Sequence, residues 1–283
     1  MKKKDSNLKE ALNKPKESKE ILDEQIQTGL EQYHRSNPEL FLSGIAAGLE
    51  VGFSVFFMGT LYTIFVGVLH PAFLQAMLAV TYSIGFIFVV IGRSELFTEH
   101  TTLAVIPVLN GNASMKQLLI LWALVYSGNL LGGSFFSFML AILPTNMGII
   151  SPEALTTLAH KMLDITPGLM LGSGILAGWL MGLLSWLVTS SQETMSRIFI
   201  VTLVTSVIGI GTLHHSVVGT IEVLSGVFID PDISFVEFLV FLLWTTIGNI
   251  IGGVVFVALI KYSHINPRRR YFHTITGKKR KSN

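Results

Sequence analysis

Uninterrupted apolar blocks dominate this chain of 283 residues and restrict what it can fold into. Residues 72–92, 117–143 and 168–188 contain no Asp, Glu, Lys or Arg, and residues 41–69 and 235–260 contain one Glu each. Each block supplies the ~20 residues that a helix needs to cross a hydrocarbon layer of ~30 Å. Since only 13% of the residues are charged, the chain also lacks the surface of a soluble domain. These blocks predict an all-α integral membrane protein.

Ionisable residues interrupt the apolar pattern at two places. GRSELFTEH (92–100) follows the second block, and GIGTLHHS (209–216) divides a shorter apolar stretch over 198–228. Ionisable groups and irregular backbone at membrane depth occur only inside protein or along a watery path. We therefore predict six crossings, of which the second and the fifth are broken helices.

The two interruptions belong to an internal repeat, in which three motifs occur once in each half of the chain and in the same order. The pairs are SGIAAGLEVG (43–52) with SGILAGWLMG (173–182), HTTLAVIPVLNG (100–111) with HSVVGTIEVLSG (215–226), and GNLLGG (128–133) with GNIIGG (248–253). Because each half has three crossings, the second half enters the membrane from the opposite side. We therefore predict a six-helix bundle of two inverted three-helix repeats. Paired broken helices mark a substrate path, and their N-termini favour anions.

Basic residues are concentrated at both ends of the chain, in residues 1–20 and 266–283. By the positive-inside rule both termini are cytoplasmic, in a multi-pass protein of the inner or plasma membrane, and we expect no nucleic-acid partner. These patterns divide the chain into a cytoplasmic N-terminal amphipathic helix (1–38), a first three-helix repeat (39–145), an extracytoplasmic loop (146–167), a second three-helix repeat (168–262) and a basic cytoplasmic tail (263–283).

The apolar residues of the N-terminal segment fall near one face of a helix. They are Ile21, Leu22, Ile26, Leu30 and Tyr33. We expect this helix to lie on the cytoplasmic membrane surface or against a neighbouring subunit.

The residues at the two interruptions resemble the signature motifs of the formate/nitrite transporter family. GRSELFTEH is similar to the family's GSELFTGN, and TLHHSVVG (212–219) is similar to its FEHS(I/V)AN. The resemblance extends over roughly residues 40–262. It implies a homopentamer of aquaporin-like protomers in a lipid bilayer, each protomer with its own pore for a small monovalent anion such as formate or nitrite.

The resemblance also implies a set of pore residues. These are His215 as the pore histidine, Thr98 as the hydroxyl that faces it, Leu96 and Phe97 as an apolar constriction, Lys161 as a vestibule lysine, and Tyr82 and Phe86 as further constriction residues. From these positions we expect Lys161 to attract a weak-acid anion, which becomes neutral as it loses hydration at the constriction. The neutral acid then exchanges a proton or a hydrogen bond with His215, so that anion and proton move together.

Several residues depart from the family pattern. Glu99 and His100 replace Gly-Asn, His214 replaces an acid before the pore histidine, and Gly178 replaces an Asn. Whether Glu99 and the two histidines face the pore is left open, with a structural role expected for His100 and His214. Thr98 has an alternative role, as the cap of a half-helix that begins at Glu99.

Two carboxylates, Glu50 and Glu222, lie in apolar sequence. Each either pairs with a cation or a backbone N–H group or acts as a proton relay, and the spacing does not decide between these roles.

Other classes of protein fit the sequence less well. The chain has no Cys and no HExxH, phosphate-loop or nucleophile motif, so we expect no enzyme, no metal site and no cofactor. The Asn-Pro-Ala pairs of aquaporins are missing, which disfavours a channel for neutral solutes. A non-conducting membrane scaffold or sensor that retains the channel fold is the alternative to an anion channel.

Overall fold

Helices account for all regular structure in the described part of the chain. The computed structural model describes residues 15–265. Residues 1–14 and 266–283, which include nearly all of the predicted basic tail, lie outside the described residues. The elements are α1 Ser18–His34, α2 Asn37–Phe65, α3 Pro71–Thr81, α4 Ser83–Gly92, α5 Phe97–Leu103, α6 Val105–Leu109, α7 Met115–Asn146, α8 Pro152–Leu163, α9 Pro167–Ser190, α10 Thr194–Ile210, α11 Ser216–Ile229, α12 Phe235–Ile251, a π-helical segment Gly252–Leu259 and α13 Ile260–Ile265.

Five helical stretches between residues 15 and 265 are long and apolar enough to cross a membrane. They are Asn37–Phe65, Pro71–Gly92, Met115–Asn146, Pro167–Ser190 and Phe235–Ile265, and they coincide with the five apolar blocks of the sequence. The prediction of an all-α membrane protein is therefore confirmed. The helices α10 and α11 are shorter apolar helices, and residues 211–215 separate them.

Glycines bring two pairs of long helices, α2 with α7 and α9 with α12, into backbone contact. A methyl group built on Gly48 would lie 2.3 Å from the carbonyl oxygen of Asn129, and one on Gly178 would lie 2.2 Å from that of Asn249. Small residues allow such close approach between membrane helices. All four residues belong to repeated motifs, so these motifs form equivalent contacts in the two halves.

A serine side chain from α2 divides the second membrane-crossing stretch into α3 and α4. Ser54 Oγ donates to the carbonyl oxygen of Tyr82 at 2.6 Å and accepts the backbone N–H of Gly85 at 2.9 Å. A side chain that inserts into the backbone hydrogen bonds of a helix bends it. The sequence predicted one continuous helix here, because a serine on another helix is not visible in the hydropathy of the block.

The N-terminal helix α1 packs on the bundle of its own protomer. Gln25 Nε2 donates to the backbone oxygen of Ser185 at 3.1 Å, and the Tyr33 hydroxyl donates to the carbonyl oxygen of Ala104 at 2.6 Å. Leu22 is 1% exposed, and burial raises the pKa of Tyr33 to about 12. The predicted apolar face is present and packs on the same chain, while the location of this helix at the membrane surface or against a neighbouring subunit stays a prediction.

The predicted loop 146–167 contains the helix α8. Ser151 Oγ accepts the backbone N–H of Ala154 at 3.2 Å and caps its start, and the buried Leu155 and Leu158 pack on α11. Hydropathy missed α8 because its 12 residues are too few to cross a membrane. Because α8 directly precedes the start of α9, whereas the segment before α1 is bonded to Thr189 at the end of α9, α8 lies at the opposite end of the bundle from α1 and from α13, which contacts α1. We call its end the distal face and the end with α1 and α13 the terminal face.

Candidate functional site

The two breaks in the helical structure have similar backbone geometry. After α4, Arg93 adopts a φ of 59°, and α5 begins at Phe97. After α10, Thr212 adopts a φ of 47°, and α11 begins at Ser216. Left-handed backbone is uncommon for residues other than glycine and turns the chain out of a helix. Both breaks lie where ionisable residues interrupt the apolar sequence.

An asparagine on α7 holds the first break. Asn129 Oδ1 accepts the backbone N–H of Phe97 at 2.8 Å, which satisfies a donor at the start of α5. Its Nδ2 donates to the carbonyl oxygens of Gly44 and Glu95, both at 2.8 Å. Asn129 is fully buried, so its side chain supplies the hydrogen bonds that water would give to the backbone N–H and C=O groups of an exposed loop.

An asparagine on α12 holds the second break in the same way. Asn249 Oδ1 accepts the backbone N–H of Ser216 at 2.9 Å, and its Nδ2 donates to the carbonyl oxygens of Gly174 and His214, both at 2.9 Å. The repeated motifs GNLLGG and GNIIGG are visible in the sequence, but the role of their asparagines was not predicted from it. The available signal was a polar residue that recurs in an otherwise apolar repeated motif.

The starts of α5 and α11 meet through two predicted pore residues. Thr98 Oγ1 lies 2.7 Å from His215 Nε2, and both side chains are buried. His215 Nδ1 accepts the backbone N–H of Val218 at 3.2 Å. A neutral imidazole accepts with one nitrogen and donates with the other, so we assign the hydrogen to Nε2, which donates to Thr98. The alternative role of Thr98 as a cap was wrong, since α5 begins at Phe97 and Thr98 lies inside its first turn.

Apolar side chains surround the His215 ring on the distal side of this contact. The Phe86 ring meets the His215 ring edge-on, with centroids 5.2 Å apart, and the Tyr82 ring lies 5.3 Å from Phe86. Leu96 is 1% exposed and packs in the same apolar cluster as Tyr82 and Phe86. Four predicted pore residues are therefore brought together here.

Phe97, by contrast, packs away from this cluster. Its ring lies 4.3 Å from that of Tyr126 and 5.8 Å from that of Trp122, both on α7. Leu96 and Phe97 are adjacent in sequence but join different apolar clusters. Consecutive residues at a helix start point in different directions, which is why a motif match could not separate their roles.

A cavity on the distal face contains the predicted vestibule lysine. Its wall includes Lys161 and Gln75, together with Tyr82, Leu158 and Glu222. Lys161 Nζ donates to Gln75 Oε1 at 3.0 Å. Burial lowers the pKa of Lys161, and the negative charge of Glu222 acts in the opposite direction.

The other two histidines lie in side-chain networks. His214 Nδ1 lies 2.9 Å from Ser173 Oγ, and its Nε2 lies 3.0 Å from the carbonyl oxygen of Met162. His100 Nε2 lies 2.5 Å from Glu95 Oε2 in a buried contact. These bonds give both histidines a position in the packing of the bundle.

Glu99 lies on the wall of a second, larger cavity, which opens on the terminal face. Arg93 and Arg197 contribute to the same wall, as do Glu95 and Arg35, which form an ion pair. Glu99 is therefore on the opposite side of the Thr98–His215 contact from Lys161.

Comparisons with known proteins identify the family of this chain. Residues 19–263 match the family model described as formate/nitrite transporter. The chain is 31% identical over 242 residues to the inner membrane protein YfdC of Escherichia coli K12. This alignment covers 84% of this chain and 76% of that protein.

It is also 28% identical over 233 residues to the nitrite transporter NirC of Salmonella typhimurium, covering 79% of this chain and 82% of that protein. A solved structure described as a pentameric formate channel with formate bound has a TM-score of 0.69 and 25% identity, over 80% of this chain and 96% of that chain. Because the family model spans nearly the whole described chain, this protein belongs to the formate/nitrite transporter family.

Proposed function

We propose that this protein conducts the anion of a small weak acid, such as formate or nitrite, together with a proton. The buried contact between Thr98 and His215 carries the proposal, because it joins the starts of two interrupted helices between a cavity on each face. The names of NirC and of the formate channel support this substrate class.

We further propose that the bundle consists of two inverted repeats with six crossings, of which the second and fifth are broken. The equivalent hydrogen bonds of Asn129 and Asn249 support this architecture. So do the equivalent backbone contacts of Gly48 and Gly178. The domain boundaries of the sequence analysis stay predictions, except that 146–167 includes α8.

The proposed path begins at Lys161, whose positive charge attracts an anion into the distal cavity. It continues past the apolar collar of Tyr82, Phe86 and Leu96, where loss of water disfavours the charged form of the solute. Phe97 supports the collar through its packing on α7.

At the centre of the path, the neutral acid accepts a hydrogen bond from Nε2 of His215. In the structure, without solute, this N–H donates to Thr98. The Val218 amide holds the ring in place through Nδ1. The solute then enters the terminal cavity, where Glu99 lies.

The proposal also assigns the orientation of the chain. Both ends of the described chain lie on the terminal face, because α1 packs against α13. With the basic ends of the sequence, this favours a cytoplasmic terminal face and an extracytoplasmic distal face.

Proteoliposomes test the coupling of anion and proton. We expect acidification of the side facing the distal cavity to accelerate formate uptake, since protonation produces the species that passes the collar. Uptake that does not depend on pH would contradict proton coupling, and a folded protein without any anion flux would favour the scaffold alternative.

His215→Asn tests the central residue. Asn retains hydrogen-bonding capacity but replaces the imidazole N–H at the centre of the path by an amide. We expect the folded protein to form normally, and formate flux to change its preference between anion and neutral acid. His100→Asn is the matched control, because His100 contacts Glu95 rather than Thr98, so any effect arises through stability and leaves this preference unchanged. If His100→Asn changes this preference and His215→Asn does not, the central histidine is His100 and not His215.

The proposal includes a homopentamer, in keeping with the pentameric formate channel to which this fold is similar. Native mass spectrometry of the protein in mild detergent is expected to give five copies of the chain. A monomer that retains full formate flux would contradict this assembly.

A further inference from the structure

Glu222 is a buried carboxylate that the packing of the bundle does not explain. It lies on α11, seven residues beyond His215, and is 5% exposed. Its carboxylate makes no hydrogen bond to another residue of the described range 15–265, and the opposite charge that faces it is that of Lys161 on the same cavity wall. A buried acid without a hydrogen-bond partner costs stability, so its position with a cation on a cavity wall points to a ligand.

The groups that face Glu222 across the distal cavity define this ligand. From α8 comes Lys161, from α3 comes Gln75, and Tyr82 lies at the junction of α3 and α4. The lining residues from α2 and α10 carry no titratable side chain. Among the described residues Lys161 and Glu222 form no direct ion pair, and the amino group of Lys161 donates to Gln75 instead. The cavity therefore presents one cation and one separate acid to a solute.

His215 is poorly placed to supply a proton to an incoming anion. Its Nδ1 accepts the Val218 amide, and its Nε2 is engaged with Thr98. A second proton on Nδ1 would displace the Val218 N–H at the start of α11. Release of the proton from Nε2 would leave an imidazolate in an apolar collar. The proton that accompanies the anion therefore comes from solution or from another group on the path.

We infer that Glu222 donates a proton to the weak-acid anion held at Lys161, before the solute enters the apolar collar. This inference rests on the proposed function. The O–H bond of the Glu222 carboxyl breaks and an O–H bond forms on the anion, giving neutral acid and a Glu222 carboxylate. A hydronium ion that reaches the distal cavity from solution then returns a proton to Glu222 and becomes water. The reaction is a proton transfer only, with no change of oxidation state.

Glu222→Gln tests this step in proteoliposomes with formate. Gln has the size of Glu but cannot give up a proton. We expect formate uptake at neutral pH to fall by about tenfold or more, since a positioned proton donor commonly accelerates a reaction by about 10²–10⁴-fold. The deficit should shrink as the distal side is acidified, because formic acid formed in solution no longer needs a donor in the protein.

Two controls separate this role from a structural one. Glu222→Asp keeps a titratable group and should recover most of the uptake at neutral pH. Glu153→Gln removes an exposed carboxylate on α8 of the same face and should leave uptake unchanged. An unchanged rate in Glu222→Gln, or a deficit of equal size at every pH, would overturn the inference.

The same experiments distinguish a failure of the inference from a failure of the proposed function. If the unsubstituted protein shows no pH-dependent formate uptake, the proposed function is wrong and the inference falls with it. If it does, and Glu222→Gln has the same pH profile, only the inference is wrong.

A spectroscopic measurement remains decisive if Glu222→Gln folds poorly. In the intact unsubstituted protein, ¹³C-labelled formate should cause loss of the carbonyl band of a protonated carboxyl group in the infrared difference spectrum. Glu222→Asp should show the same loss at a shifted frequency. Absence of the band loss in both proteins would overturn the inference.

Discussion

Asn249→Ala is expected to cause a large loss of stability together with loss of flux. The substitution removes the partner of the Ser216 N–H and of the His214 carbonyl, neither of which has a replacement inside the bundle. Each buried donor or acceptor that loses its hydrogen-bond partner lowers the free energy of unfolding by about 1–3 kcal/mol. The start of α11 also loses its fixed position, and with it the orientation of His215.

Thermal unfolding in detergent and formate flux in proteoliposomes measure these effects. Asn129→Ala should have a similar effect, because Asn129 holds the first break through the same set of bonds. Asn146→Ala is the control, since Asn146 is exposed at the end of α7. If Asn249→Ala unfolds at the same temperature as Asn146→Ala, the asparagine does not hold the break.

Gly178→Ala is expected to separate α9 from α12 and to reduce the yield of folded protein severely. The added methyl group would lie 2.2 Å from the carbonyl oxygen of Asn249, and backbone cannot move aside as a flexible side chain does. Overpacking in a well-packed interior costs about 1–3 kcal/mol and sometimes more. Here the displaced residue is also the one that holds the second break, so flux should fall as well.

Gly172→Ala is the matched control on the same helix. A methyl group on Gly172 meets no atom within 4 Å, and Ala favours a helix by about 1 kcal/mol over Gly. We expect Gly172→Ala to unfold at an equal or higher temperature than the unsubstituted protein. Equal melting temperatures for the two variants would contradict the close contact of α9 with α12.

The sequence alone determined the class of the protein, the five long helices and the places where the apolar pattern breaks. Hydropathy and segment length are local properties, and a lipid bilayer imposes a length on apolar helices that can be counted along the chain. The family resemblance also rested on local strings, 92–100 and 212–219, so it located Thr98 and His215 without any knowledge of their distance.

Only the tertiary structure decided which polar groups meet. Thr98 and His215 are 117 residues apart in sequence, and Asn249 bonds to Gly174, 75 residues earlier. The tertiary structure also places Leu96 and Phe97, which are neighbours in sequence, in two different apolar clusters. Contacts of this kind depend on how whole helices cross and turn, which a single position in a sequence does not encode.

The carboxylates illustrate the same limit. In the sequence, Glu50 and Glu222 were equivalent interruptions of apolar segments. In the structure, Glu50 Oε2 is buried without a partner among the described residues, whereas Glu222 lies on the wall of the cavity that also holds Lys161. The chemistry available to a carboxylate depends on the charges and water that face it, and these come from helices remote in sequence, so only packing could distinguish the two residues.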